Sequence, residues 1–592
     1  TGNGIISVTG TNNYEQSEDL EAKSRMVVPG DVDPDGEDPV EEGGFRTDAP
    51  TAPQLAFHLL MSYAVRRRWR LRTFDVKTAF LSGKSHNRDI YMRPPKEGLP
   101  GVPPGSLLKI LKGAYGLREA PRLWYLKARE VITAAGFEEL STAKACFVLR
   151  DKTLPGAPLC GMMVLHVDDA CYGGSGKFYD ATMANCLAQF KIGNEKTKEF
   201  DFLGRHVIQR DDFSIEIDQH QYVKNLQKVF IPKSRRVMPK AKLTAEELSD
   251  YRSLVGQLAW PARETMPQLC FAVSDLQQRT AIATVHDLCH ANNVLNFAKQ
   301  WAEKDNQKLR FLPFDGDCSL TCMAKTKPDA LNKKKEHSQA RHKMKPDLSK
   351  KPVGIGAVHD ASFMGQPGEG SQFGYAILVA PTELYDGPTV THLVDWNSAK
   401  IHRKVRSTLA AEAASCSRAY DRSMYARAMM SEIENGKTGH WTKMCADVPF
   451  CLGTDCRSLY DLCQKLGSLP DERRVALDLL DVKEGIEEMS DEIRWVPTDH
   501  MLVDPFTKSM PPDLLMRYLQ TGKYSFKYDD DIKNTKRVVA KERKVIKSEK
   551  SNAKKEEKQK IQSSELLKDH KTARSEFDRI HHMMNGKPHT PT

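Results

Sequence analysis

The stretch VLHVDDACYGG, Val164 to Gly174, decides how the first half of this 592-residue chain is read. Apolar residues lead in from Gly161 through Val167, and Gly173-Gly174 closes the run. The pattern predicts strand, tight turn, strand, with Asp168 and Asp169 in the turn. Adjacent carboxylates repel and raise each other's pKa unless a cation neutralises them, and hard divalent ions take oxygen ligands. The pair therefore suggests a metal site, although two acids are also common in an ordinary surface turn.

The chain is long enough for several domains, each with its own core. A hydrophobic content of 40% fits globular domains with polar additions, and no apolar run approaches the roughly eighteen residues of a membrane span. No secretory signal opens the sequence. Thirteen cysteines, an odd number without a regular framework, fit reduced thiols. These features predict an intracellular, soluble protein without a membrane partner. Its first residue is Thr1 rather than methionine, which predicts a fragment or processed piece of something longer.

The net charge of +10 is unevenly placed. Ile532 to Lys560 holds twelve Lys/Arg against four Asp/Glu, and Met323 to Lys351 holds ten against three. Both segments lack aromatics and periodic apolar residues, so each reads as a solvated linker or tail, able to touch phosphates through counterion release. The acidic stretch DVDPDGEDPVEE from Asp31 reads as a disordered insertion.

From Thr51 to about Lys233 apolar helices and strands alternate, which predicts α+β architecture. Ala241 to Leu312 looks helical. A basic, proline-punctuated stretch then precedes a second patterned region, Val353 to about Met510, where short strands lead into an alanine-rich helix from Ser407 to Glu434. No phosphate-binding P-loop motif is present.

TFDVKTAFLSG (Thr73 to Gly83), IYMRPP (Ile90 to Pro95), LKGAYGLREAPRLWY (Leu111 to Tyr125) and LHVDD (Leu165 to Asp169) resemble, in order and spacing, the reverse transcriptase of copia-type LTR retrotransposons. FDFLGRHV and YRSLVGQLAW extend the likeness, which covers roughly residues 23 to 510. The resemblance implies that Asp75 and Asp168 hold two Mg²⁺ ions, with Mn²⁺ as an alternative, and that Asp169 supports them. It implies that Phe80 lies under the sugar and excludes a 2′-hydroxyl, that Tyr115 and Gly116 line the templating pocket, and that Lys23 and Arg25 in AKSRMVVPG meet the triphosphate. Read without the resemblance, Phe80 is a core aromatic, and Lys23 and Arg25 are an exposed basic pair. His166 stands where the family usually has Tyr, and Arg118-Glu119 replace Lys-Gln; neither departure removes a metal ligand.

In the second region VHDASF, GSQFGY, VDWNSAK, TLAAEAAS, GTDCRSL and VPTDHMLVDPFTKSM resemble the family's ribonuclease H elements. The resemblance implies that Asp360, Glu412, Asp455 and Asp504 form a second two-metal cluster that cuts the RNA of a hybrid. His500 reads as an exposed loop histidine. Cys318, Cys322, His337 and His342 loosely mimic a zinc site, but their spacer lacks the apolar residues for a core.

The resemblance implies an α+β multidomain chain. An N-terminal segment with the acidic insertion (1–50) precedes fingers and palm (51–235) and thumb or connection (236–316) of a right-hand polymerase. A basic linker (317–352), an RNase H-like domain (353–512) and a basic, partly disordered tail (513–592) follow. The implied partners are an RNA template, a DNA primer, an RNA–DNA hybrid, deoxynucleoside triphosphates and other products of the polyprotein, whose protease and integrase are absent here. The implied location is a cytoplasmic virus-like particle, with the nucleus as an alternative. A catalytically silent, nucleic-acid-binding remnant is the rival reading.

Overall fold

The computed structural model describes residues 5–8, 24–33, 46–95, 98–304, 307–315, 318–319, 351–436, 439–465 and 469–527. Lys23, most of the acidic insertion, Cys322, His337, His342 and the basic tail lie outside the described residues. Arg25 is placed by its backbone alone, on the strand Ser24–Val27 paired with Ile5–Val8. No helix among the described residues is long and apolar enough to cross a membrane.

The architecture is α+β. Its first sheet is antiparallel, in the order Ile192–Thr197, Arg70–Val76, Asp169–Gly174, Leu159–His166, Cys146–Arg150, Glu138–Glu139. Alternate side chains of a strand point to opposite faces. Met163, Leu165, Ala170 and Tyr172 accordingly face one core with Phe74 and Trp124, while Met162, Val164 and Cys171 face another with Leu55 and Leu59. Burial on both faces explains why the sequence around the two aspartates reads as one apolar run.

Helix Gln54–Arg66 is buried from Leu55 to Val65. It packs on the first sheet and on the strand His392–Lys400 of a second one. Its polar residues are matched there: His58 Nδ1 lies 2.9 Å from the Val394 carbonyl, and Ser62 Oγ lies 2.8 Å from His392 Nδ1. Hydrogen bonds extend this junction, since Glu432 accepts from the backbone and hydroxyl groups of Ser141 and Thr142.

The helices Ala245–Glu264, Cys270–Arg279 and Val285–Ala302 bear out the helical reading of that stretch. Leu309–Phe311 departs from it, forming a strand on Ile215–Asp218. This four-stranded sheet, which also holds Glu199–Phe202 and Arg205–Gln209, ties together residues on either side of position 235.

The second sheet runs His392–Lys400, Gly370–Pro381, Lys351–Gln366, Phe450–Thr454, Glu492–Trp495; the first three strands are antiparallel and the last two join in parallel. Helix Thr408–Asn435 packs across it, opened by Ser407, whose hydroxyl accepts from the Ala410 N–H. Folded chain continues past residue 512: helix Asp513–Thr521 leads into Lys523–Tyr524, which pairs with Thr389–Val390. Residues 513–527, expected to belong to a basic tail, are therefore part of the folded structure. The described residues all fall within one compact unit, Thr1–Tyr528, so the basic stretch does not separate the packing of the two sheets.

Candidate functional site

The hairpin around Asp168 and Asp169 closes tightly. His166 pairs with Asp169, leaving Val167 and Asp168 as the two-residue loop. Asp169 is thus the first residue of the second strand rather than part of the turn. Val167 has φ +56°, a conformation a β-branched residue adopts only under strain. Two bonds hold it there: Trp124 Nε1 donates to the Val167 carbonyl at 2.6 Å, and the Val76 N–H donates to the Asp168 carbonyl at 3.1 Å.

Asp75 lies directly across from Asp169 in the neighbouring strand. Burial, then the charges of Asp168 and Asp75, push the Asp169 carboxyl up to about 6. Asp75 itself is aimed by an irregularity in the edge strand between Ile192 and Glu195. There the Asn194 N–H donates to Asp75 Oδ1 at 2.6 Å. A Cβ on Gly193 would stand 2.1 Å from Asp75 Oδ2, so any larger residue there must displace the Asp75 carboxylate. The sequence reading missed Gly193, Asn194 and Trp124; the glycine inside the strand-like KIGNEKT was the available signal.

Phe80 opens a single-turn helix, Phe80–Ser82, and is half-buried with its ring edge-on to Tyr115 at 5.5 Å. The Tyr115 carbonyl accepts from the Val28 N–H at 2.7 Å. Gly116 has φ +93°, and a Cβ there would stand 2.0 Å from the Val28 carbonyl. Residues 28–30 thus press on the Tyr115-Gly116 turn. The unusual Glu119 is built in: its Oε1 lies 2.5 Å from His86 Nδ1 and 3.2 Å from Arg88, which also pairs with Asp33. Burial lowers the pKa of His166, which favours its neutral form.

The second cluster gathers acids from distant elements. Asp360 is on the central strand Lys351–Gln366, Glu412 is in the second turn of helix Thr408–Asn435, and Asp455 follows the strand Phe450–Thr454. One ligand oxygen from each of these three lies within 4.8 Å of the others; among the described residues, Asp75, Asp168 and Asp169 form no such set. Ser415 Oγ, three residues after Glu412, donates to the Asp360 carbonyl at 2.8 Å and keeps that helix face on the sheet. Asp504 arrives on the single-turn helix Asp504–Phe506. Gly374, opposite Asp360 in the register, permits this: a Cβ there would stand 2.5 Å from that of Phe506.

Burial and Asp504 push the Asp360 carboxyl up to about 7, against a hydrogen bond from Thr507 Oγ1. Burial, Asp360 and Asp455 raise Glu412 well above the ordinary carboxylate range, and burial chiefly raises Asp455. Oxygen donors crowded in a buried, charge-deficient site suit a hard divalent cation. Lys508, which the sequence reading also missed, places Nζ 2.9 Å from Asp504 Oδ1. His500, expected as an exposed loop residue, is buried in the turn Thr498–His500, where its carbonyl accepts from Tyr524 at 2.8 Å. The chain beyond residue 512 covers it.

The reverse transcriptase (RNA-dependent DNA polymerase) family matches residues 8–235. The retrovirus-related Pol polyprotein from transposon RE1 of Arabidopsis thaliana is 27% identical over 288 residues, covering 46% of this chain and 19% of that protein. The Pol polyprotein from transposon TNT 1-94 of Nicotiana tabacum is 24% identical over 269 residues, covering 42% of this chain and 20% of that protein. The match to these relatives thus spans about a fifth of their length. A foamy viral protease-reverse transcriptase in complex with double-stranded DNA aligns with TM-score 0.43 and 11% identity over 86% of this chain and 66% of its own. The aspartate hairpin and its partner Asp75 lie inside the matched segment, and the protein, related to the Pol polyproteins of copia-type retrotransposons, carries a reverse transcriptase domain at residues 8–235.

Proposed function

We propose that the chain is an RNA-directed DNA polymerase with ribonuclease H activity, which copies element RNA into DNA and degrades the RNA of the hybrid. The observation that carries this reading is the register that sets Asp75 opposite Asp169 beside Asp168, within a reverse transcriptase domain. The first sheet is the palm of a right-hand polymerase, and the helices between Ala245 and Ala302 belong to its thumb or connection. The region from 353 to 512 is the RNase H-like part.

Asp75, Asp168 and Asp169 would hold one pair of Mg²⁺ or Mn²⁺ ions, and Asp360, Glu412, Asp455 and Asp504 another. Such ions, when bound, neutralise developing charge and favour an oxygen nucleophile. The chain's own part is to keep the carboxylates in place. The Val76 and Asn194 N–H groups fix the first set, and Ser415 and Thr507 fix the second. Phe80 and Tyr115 form a half-buried aromatic pair suited to lie beneath the sugar of a deoxynucleoside triphosphate. Primer extension by the purified chain on a primed RNA template tests the reading, with Asp168→Asn as control. Extension that persists in the variant would overturn the metal assignment. The rival, a silent remnant that binds nucleic acid, is favoured by Asp75 being held toward Asn194 rather than converged with the other two acids; absence of extension by the unsubstituted chain would select it.

A further inference from the structure

Lys508 is a basic side chain facing the buried acids of the second cluster, and what it does there rests on reading that cluster as a metal site. It follows Asp504 by four residues, with Nζ 2.9 Å from Asp504 Oδ1 and 3.8 Å from Asp360 Oδ2. The preceding Thr507 donates its hydroxyl to Asp360 Oδ2 and lies 3.1 Å from the Asp504 carbonyl. The segment from Asp504 to Lys508 therefore brings both an acid and a counter-charge to the cluster. The two ends of this contact differ in freedom. Asp360 and Asp504 are 4% and 7% exposed, whereas the Lys508 side chain is 47% exposed. The carboxylates are held in place by burial. The lysine reaches in from solvent on a flexible stem and loses little by leaving.

Buried carboxylates that crowd one another need a cation, and the ammonium supplies one. A divalent ion would seek the same oxygens, and two cations a few ångströms apart repel strongly in a partly desolvated site. We propose that Lys508 is a resident counter-ion of the Asp360–Asp504 pair: it holds the cluster together in the metal-free chain, is displaced toward solvent when a divalent cation binds, and thereby sets the metal affinity of the site. Lys508 is a positioning residue in this role, since it acts through the carboxylates.

The test uses the full chain carrying Asp168→Asn and Asp169→Asn, which removes the first acid cluster from the titration. Mn²⁺ binding without nucleic acid is measured by calorimetry and by electron spin resonance of the free ion, with thermal melting in the absence and presence of Mn²⁺. Lys508→Met should bind Mn²⁺ on the order of fivefold more tightly, the upper end for a partly exposed ion pair. It should also melt lower without Mn²⁺ and gain more from its addition. Lys508→Arg, which keeps the charge, should stay near the parent affinity. Lys508→Gln replaces the methionine variant if that chain does not fold. Unchanged or weaker Mn²⁺ binding in the neutral variant, with the parent binding normally, overturns the counter-ion role and is the result expected if Lys508 instead serves a substrate phosphate. If neither parent nor variant binds Mn²⁺, the metal reading of the cluster falls, and the role of Lys508 falls with it.

Discussion

The two acid clusters solve the same electrostatic problem in opposite ways. Asp75, Asp168 and Asp169 come from neighbouring strands and one hairpin, and they stay half-exposed or exposed. Asp360, Glu412 and Asp504 are nearly inaccessible, with Asp455 half-buried beside them, and all four sit on separate elements. Water reaches the first set, where burial and its two neighbours push Asp169 up to about 6. Burial acts more strongly on the second set, pushing Asp360 up to about 7 and Glu412 well above the ordinary carboxylate range. Open geometry leaves the first set unconverged. The second is assembled by the fold itself and therefore depends more on counter-charge brought to it.

The sharpest way to break this comparison is to remove one carboxylate from each side. Asp168→Asn should lower primer extension roughly thousandfold or more, the equivalent of several kcal/mol of charge stabilisation, while leaving hybrid cleavage measurable. Glu412→Gln should do the reverse. Both activities measured on both variants decide the matter: joint loss would mean that the shared junction through Gln54–Arg66 and Glu432 couples the halves too strongly for separate sites.

Phe80→Val sharpens the reading of the open cluster. If the ring lies beneath the deoxyribose, ribonucleotide incorporation should rise about a hundredfold, as relief of a clash of about 3 kcal/mol implies. A merely structural aromatic at the Tyr115 contact would instead lower stability by roughly 1 to 4 kcal/mol and depress both nucleotides equally. The ratio of kcat/KM for the two nucleotides, with Tm as control, separates these outcomes.

Gly193→Ala asks whether the edge-strand irregularity truly aims Asp75. The new methyl must displace the Asp75 carboxylate, and extension should fall on the order of tenfold, with hybrid cleavage unchanged. Unaltered extension would show that Asp75 is aimed by something other than this strand.

The smallest effect concerns pH in the metal-free chain. Asp360 has a raised folded pKa, so the native state binds more protons than the unfolded state between about 4 and about 7. Its destabilising contribution is absent below that window and complete above it. Asp360→Asn should accordingly raise the metal-free Tm at pH 7.5 by about 1 °C, as a gain of about 1 kcal/mol implies for a compact unit of this size, and by little or nothing near pH 4. A constant difference across that range would mean that the Thr507 hydrogen bond, not repulsion, governs the site.

The sequence by itself determined the α+β class, the hairpin at Asp168 and Asp169, and the helix that carries Glu412, because strand period, turn chemistry and helix capping act over a few neighbouring residues. Asp168 sits in the turn as its sequence predicts, whereas Asp169, expected beside it, opens the following strand. What the motifs could not contain is contact between elements far apart in the chain. Only the tertiary structure decided that Gly193 leaves room for Asp75, that Leu309–Phe311 joins the sheet at Ile215–Asp218, and that the chain after residue 512 closes over His500. It likewise decided that Lys508 reaches Asp504 and Asp360. Each of these depends on distances between side chains and backbones that share no local pattern: desolvation and charge are summed over everything packed nearby, and a one-dimensional string does not specify that neighbourhood.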